Sequence, residues 1–478
     1  MKLENVLLPG KSPEPKDIEV IDGRVRSINP SQTPSGTPSL LLPSLCHPHI
    51  HLDKPYILTC NHSLSSSGSS PYPDYSDLVP RSGSFSEALQ FTSKAKERFT
   101  EDDLYLRGSQ LLADSCAHGV SSLRAFVEVD HVAQLKGLTT GLRLKRAFSP
   151  ALRVQLCVFA QDPVFSSPHG DENRALVLRA LDDAGDAVEA LGATPYVEAG
   201  RDAALRNIEW AIETALQRNL HLDFHLDYTL EQPSSSAPPL VFSVVDLLIK
   251  HGWAETTSGR RTVALGHCTQ LTLLPDAELA GLAARIAAAK LPIHFVGLPT
   301  SDIFMMGRPA PPAGAETEPA SATTQSRPRG TLQVPSLIKD HGLSACLGVN
   351  NVGNAFTPYG TGDPLQLASW GVGLYHAGTP ADAELLYGCV SWRARQAIGL
   401  AHEAGEAAEG GKDWRHGASV GGLEPVAEGT EWTPMLLVRN REAVEVPGTE
   451  IRVPARQRRS VTDVVWDPPD VSLRSIVR

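Results

Sequence analysis

The sequence predicts an α/β fold: a (β/α)8 TIM-type barrel with a small β-sandwich domain formed by both termini. Three observations carry this expectation. Eight apolar runs of strand length recur with amphipathic helical stretches between them, the pattern of a parallel sheet. The Gly-rich first turn of a doubly wound sheet, G-x-G-x-x-G, is absent. Polar residues, histidines foremost, fall where the runs end, and in a barrel those ends form one catalytic rim.

The runs are 40–52 (LLLPSLCHPHIHL), 120–127, 153–160, 193–198 (ATPYVE), 221–226, 262–268, 292–299 and 344–350. The intervening stretch 174–191 places Leu176, Leu178, Leu181, Ala184 and Val188 close to one helical face. Ahead of the barrel, DIEVIDGRVRSI alternates like an antiparallel hairpin with Asp22-Gly23 at its turn. The tail is β-rich near WTPMLLVRNREAVEVPG, so the two ends are expected to pair. This gives residues 1–44 and 401–478 to the small domain and 45–400 to the barrel. Segments 62–86, 308–330 and 401–421 are rich in Pro, Gly, Ser and Ala and read as loops. The first two follow strands one and seven, where they serve either as lids or as tolerated insertions.

Composition narrows the function. The 478 residues carry 43 basic and 54 acidic side chains for a net charge of −11, without basic runs, which argues against a nucleic-acid partner. No segment approaches the roughly 20 apolar residues that span a bilayer. The start, MKLENVLLPGKSPEPKD, lacks the apolar core of a secretory signal. Seven cysteines without a C-x-x-C pattern fit a reducing, cytoplasmic setting. A small-molecule substrate and a homo-oligomer are expected.

HPHIHLDK at 47–54 is the strongest local signal. Alternation along a strand turns His49 and His51 to the same side, where both imidazoles can meet one ion. His47 shares that phase but lies deeper. Gln161, Glu198, His225, His267, Asn350 and Asn351 end the later runs and would join the two histidines at the rim.

These motifs resemble the amidohydrolase superfamily of metal-dependent hydrolases, within it the branch of cytosine deaminase and N-isopropylammelide isopropylaminohydrolase. PSLCHPHIHLDK is similar to the family's strand-one stretch, and HGVSSLRAFVEVD (118–130) to its strand two. VQLCVFAQ (154–161) ends in a Gln that matches the one contacting a heterocyclic substrate. LHLDFHLDY (220–228), LGHCT (265–269) and LGVNNVGNAFTPYGTGDPLQLASWGVGLYH (347–376) resemble strands five, six and eight. The resemblance spans essentially the whole chain. It implies one divalent metal ion, zinc in preference to iron, held by His49, His51 and His225, with Asn350 or water completing the shell. It places His267 beside the bound water or the substrate and Gln161 at the ring edge. Lys54 would meet an anionic group or face solvent. Glu198 is a candidate for a second metal, and Asp223 or Asp227 for orienting a ligand histidine.

Three positions depart from the family. Tyr228 stands where the proton-shuttling Glu is expected, and Asn350-Asn351 replace an Asp-Asp pair. An Asn ligates weakly through its carbonyl oxygen and cannot accept a proton at neutral pH. A zinc ion held by three neutral histidines nevertheless brings bound water to a pKa of about 7. Tyr228 would donate to an oxyanion or a leaving group, beside His267 and Asn351 as the other catalytic candidates. PTSDIFMMGRP (299–309) supplies Met306 and Arg308, which line a flat substrate slot or pack on the barrel top. The expected activity is hydrolysis of a C–N bond in a cyclic amide or aminated N-heterocycle through a metal-bound water. The alternatives are a non-hydrolytic step (cyclisation, elimination or isomerisation) in small-molecule biosynthesis, and a catalytically silent binding protein.

Overall fold

A computed structural model describes residues 1–10, 14–32, 36–59, 72–234, 237–307, 330–400 and 426–478. The chain begins with strands β1 (Lys2–Leu7), β2 (Lys16–Ile21), β3 (Arg24–Pro30) and β4 (Ser39–Pro43). Eight barrel strands follow: β5 (Leu45–His51), β6 (Val120–Glu128), β7 (Arg153–Ala160), β8 (Ala190–Ala193), β9 (His221–Leu226), β10 (Val263–His267), β11 (Ile293–Gly297) and β12 (Ala345–Leu347). The tail adds β13 (Met435–Val438), a small hairpin of β14 (Ala443–Glu445) and β15 (Arg452–Pro454), and β16 (Arg474–Val477).

Strands β5 to β12 lie side by side in chain order and all pair in parallel. Helices join most of them, among them Lys136–Phe148, Gly170–Ala184, Arg201–Gln217, Leu240–Lys250 and Asp276–Ala288. The backbone of Asn350 bonds both neighbours across the seam between β12 and β5. Its carbonyl accepts from His51 N at 3.0 Å and its N–H donates to His49 O at 3.1 Å. The expected (β/α)8 barrel is therefore the observed fold.

The terminal segments weave a separate six-stranded sheet in the order β16-β13-β4-β1-β2-β3. The β2–β3 hairpin turns at Asp22 and Gly23, whose φ angles of 49° and 70° are the positive pair that a two-residue type I′ turn requires. Both ends of the chain thus build one small domain, as their alternating patterns suggest.

The fourth barrel strand corrects the sequence reading. It runs over Ala190–Ala193 rather than 193–198, and Pro195–Val197 forms a single 3-10 turn. Pro195 has no N–H to give a ladder, which ends the strand before it. The strand itself is built of small residues that periodicity does not flag.

All side chains of β5 and β6 are buried, as fits strands covered on both faces. The barrel interior is filled by Cys46, Ala264, Val296, Leu298 and Cys346 on one side and Phe126, Cys157, Phe159 and Ala190 on the other. Burial pushes the Cys46 thiol up to about 11, so it behaves as a small hydrophobe and not as a nucleophile. The six described cysteines are unpaired thiols, and no described helix is long and apolar enough to cross a membrane.

Candidate metal centre and active-site pocket

His49 and His51 project from the end of β5 and His225 from β9 on the far side of the barrel. Their Nε2 atoms meet: His225 Nε2 lies 3.0 Å from that of His49 and 3.2 Å from that of His51. Glycines make room for the His49 ring. A Cβ on Gly266 would come 3.2 Å from His49 Cε1, and one on Gly348 would come 3.3 Å from His49 Cβ and 3.0 Å from Leu298. Phe126 and Phe159 form an aromatic floor, with ring centroids 4.1 Å from His49 and 4.5 Å from His225 respectively.

Burial holds the His51 and His225 pKa values well below 6.5, and the neighbouring charged groups push the same way. The cluster is therefore neutral at pH 7, the state in which imidazole binds a metal. In the Nδ1-protonated tautomer each ring aims its Nε2 lone pair at the same point, where a cation would be held by all three. A tetrahedral ion with N ligands at about 2.0–2.1 Å separates them by about 3.3 Å, close to the spacings seen. The donor set fits a divalent ion.

Behind His49, the Asp223 carboxylate lies 3.6 Å from Nδ1 and is itself paired to Arg124 at 2.9 Å, with both side chains fully buried. Arg124 also donates to Gln155 Oε1 at 2.6 Å. Of the two aspartates that bracket His225 in sequence, Asp223 thus backs a cluster histidine. Asp227 does other work, accepting from the N–H groups of Leu240 and Val241 at the start of helix Leu240–Lys250. Neutralising Asp223 with Asp223→Asn is expected to lower zinc affinity about 10- to 100-fold, measured by competition with a calibrated chelator.

His267 ends β10 in a left-handed conformation (φ 67°), as do Asp227 (47°) and Asn350 (67°) at their strand ends. His, Asn and Asp are the non-glycine residues enriched there, and such positions gather at functional sites. His267 Nδ1 lies 2.8 Å from Asp302 Oδ1, and Asp302 accepts a second bond from Thr331. Donation from Nδ1 to the carboxylate leaves Nε2 as the acceptor. The Tyr228 ring stacks on His267 at 3.7 Å.

A cavity of about 280 Å³ opens beside the cluster. Its walls include His51, His225, Tyr228, His267, Lys54 and Gln161, with Ser301, Asn350, Asn351, Tyr196 and Phe356 completing them. Asn350 donates Nδ2 to Ser301 Oγ at 2.9 Å, which leaves its carbonyl oxygen to the His51 side. Asn351 Oδ1 accepts from Asn354 Nδ2 at 2.8 Å. Lys54 donates to Glu128 and lies 3.5 Å from Gln161 Oε1.

Nine sequence candidates, His49, His51, His225, His267, Tyr228, Gln161, Lys54, Asn350 and Asn351, are thus brought together. Met306 does not reach the walls; it packs in an apolar cluster with Ile57, Phe91, Tyr228 and Phe356. Arg308 lies outside the described residues, as do nearly all of 308–330 and 401–421 and the first part of 62–86. Glu198 is not a metal ligand candidate in this structure. It accepts from Val164, Phe165 and Ser166 N–H groups and from Asn207, fixing the loop after β7. His47 sits deeper, as its phase implies, with Nε2 3.3 Å from Ser115 Oγ.

Burial lowers the His47 pKa to about 3, with His118 adding to the effect. The folded chain therefore refuses a proton that the unfolded chain accepts, and stability is lost as pH falls below about 6.5. By pH 5 this one residue costs about 2 kcal/mol. His47→Gln is expected to recover that amount at pH 5 relative to pH 7, read from urea unfolding of metal-free protein.

Sequence reasoning missed Arg124, Asp302 and Ser301, which hold site residues from elsewhere in the chain. It also left Glu128 without a role. Glu128 binds Lys54 and Lys96, and its N–H donates to Asp53 at 2.6 Å. His51, Asp53 and Glu128 form a second group of potential ligands, but the Lys54 ammonium already occupies the Glu128 carboxylate.

No family model matches the chain, and no curated protein sequence does. Solved structures do match in fold. A 5-methylcytosine deaminase from Klebsiella pneumoniae, solved with 5-fluorocytosine, is 20% identical over 92% of this chain and 91% of its own, with a TM-score of 0.70. N-isopropylammelide isopropylaminohydrolase from Burkholderia multivorans is 19% identical over 98% of this chain and 94% of its own, at 0.63. An adenosine deaminase from Xanthomonas campestris, solved with bound zinc, is 14% identical over 91% and 84%, at 0.53. The first two are amidohydrolase superfamily members, the family that the sequence motifs resemble.

Proposed function

We propose that this chain is a metal-dependent hydrolase of the amidohydrolase superfamily that cleaves a C–N bond in a cyclic amide or aminated N-heterocycle. The observation that carries the reading is the convergence of three neutral imidazole Nε2 atoms beside a small polar cavity. His49, His51 and His225 would hold one divalent ion, zinc in preference to iron, with the Asn350 carbonyl alongside. Such an ion supplies an electrophile and lowers the pKa of water to about 7.

The chain's own groups divide the remaining work. His267 Nε2, fixed as an acceptor by Asp302, takes a proton in the attack and returns it to the leaving nitrogen. Tyr228 donates to the oxyanion that develops on the attacked carbon. Gln161 pairs with the ring edge, and Lys54, held by Glu128 and next to Gln161, binds the same edge of the substrate. Asn351, tied to Asn354, supplies a neutral amide where the related motif has a carboxylate. The lost carboxylates move the proton traffic onto His267, whose partner Asp302 is fully buried. The similarity in fold to a 5-methylcytosine deaminase and to N-isopropylammelide isopropylaminohydrolase supports the class of reaction. Unpaired cysteines support a reducing compartment, the cytoplasm.

The test uses zinc-loaded protein in ¹⁸O-water with a panel of aminopyrimidines, amino-triazines and cyclic amides. Hydrolysis places one solvent oxygen in the product, with release of one amine from an aminated ring or opening of the ring of a cyclic amide. Turnover to a product without solvent oxygen would contradict hydrolysis and favour elimination, cyclisation or isomerisation.

A further inference from the structure

Strand order in the barrel places β5 next to β12 and β6, and across the mouth from β8 and β9. Helix Phe85–Arg98 follows β5, yet its first residue reaches that far side. The Phe85 ring centroid lies 6.1 Å from Tyr196, after β8, and 5.9 Å from Tyr228, after β9. It lies 5.9 Å from Phe356, after β12, as well. Those three rings line the cavity, and Phe85, half-buried, packs across them without lining it. One side chain therefore spans the barrel mouth.

The span is held rigidly at both ends. Ser84 caps the helix by accepting from Glu87 N at 3.2 Å, and the Glu87 carboxylate turns back to accept from the N–H groups of Arg81, Ser82 and Gly83. At the other end Lys96, buried, is clamped by Asp130 at 2.7 Å, Asp162 at 3.2 Å and Glu128 at 3.3 Å. Between these anchors Ala88, Phe91 and Ala95 bury the inner face of the helix. These anchors fix the helix start that carries the ring.

We propose that Phe85 is a specificity-determining residue: it roofs the pocket and excludes ligands that carry a bulky group on the edge facing the mouth. The substrate part of this inference rests on the hydrolase reading above; the roof itself does not.

The test is independent of metal and substrate. Ser301, a cavity wall, is changed to Cys, and its labelling is followed by peptide mass mapping with a small reagent (methyl methanethiosulfonate) and a bulky one (fluorescein maleimide). With Phe85 intact, the small reagent labels faster than the bulky one. Phe85→Ala, and Phe85→Leu should Ala impair folding, are expected to raise the bulky reagent's rate about tenfold or more and the small reagent's less. Equal bulky-reagent rates with and without the Phe85 ring would overturn the roof, as would no labelling in either variant. Cobalt uptake is measured on the same proteins. Its absence in a chain with the Phe85 dependence intact would sink the hydrolase reading and leave the roof standing.

Discussion

His225→Ala protein, purified without chelator and supplied with zinc, is expected to hold no stoichiometric metal where the parent chain holds about one ion. The reason is geometric. His225 Nε2 is the shared neighbour of the other two, 3.0 and 3.2 Å away, and it comes from the opposite wall of the barrel. Without it, His49 and His51 form a two-nitrogen edge, and no other described histidine belongs to their cluster. His47→Gln serves as the control. His47 shares the alternation of His49 and His51, yet it faces Ser115, so that variant should keep its metal. Loss of metal in both variants, or in neither, would mean that the three converging nitrogens are not the ligands.

Arg124→Met is expected to destabilise the fold by about 3–5 kcal/mol, the cost of leaving a buried charge without its partner. Arg124 and Asp223 are both inaccessible to solvent and 2.9 Å apart in the barrel interior. The substitution strips Asp223 of its counter-charge and Gln155 of a donor at 2.6 Å. The double variant Arg124→Met/Asp223→Leu removes both charges and should regain part of the loss. Denaturant unfolding of the three proteins reads this directly. A single-variant loss under about 1 kcal/mol would show that water reaches the pair and screens it.

The sites of these two variants differ in how far the sequence revealed them. His49, His51, His225 and His267 were legible because a strand end plus a histidine is a local pattern, and the barrel brings all such ends to one rim. The same holds for Gln161, Asn350 and Asn351. What escaped is what depends on partners distant in the chain. Asp302 reaches His267 from the helix after β11, and Arg124 reaches Asp223 across the barrel interior; neither leaves a periodic trace. The fourth strand was displaced because its residues are small and the more strand-like ATPYVE contains a proline. Phe85 escaped for a related reason. It lies near the end of the Ser-rich stretch 62–86 that reads as loop, whereas the helix already starts at Phe85 and gives it a role at the mouth. Met306 shows the opposite error: an apolar residue near the rim reads as a substrate contact but belongs to the packing above it.

The Asn350-Asn351 pair also gains a physical account. Asn350 keeps a structural task that any residue with a backbone can perform, bonding both strands at the barrel seam. Its side chain donates to Ser301, a bond that an ionised carboxylate could only accept from that hydroxyl. The neutral Asn350-Asn351 pair is thus built into its surroundings, and in the proposed reaction proton transfer falls to the His267–Asp302 pair.

The central claim is that one divalent ion sits between His49, His51 and His225. Anomalous diffraction at the zinc edge, on crystals grown with zinc, tests it most directly. The claim predicts a single strong peak at bonding distance, about 2.0–2.1 Å, from the Nε2 atoms of all three histidines. A peak confined to the His51, Asp53 and Glu128 group, or no peak in a well-ordered barrel, would contradict it.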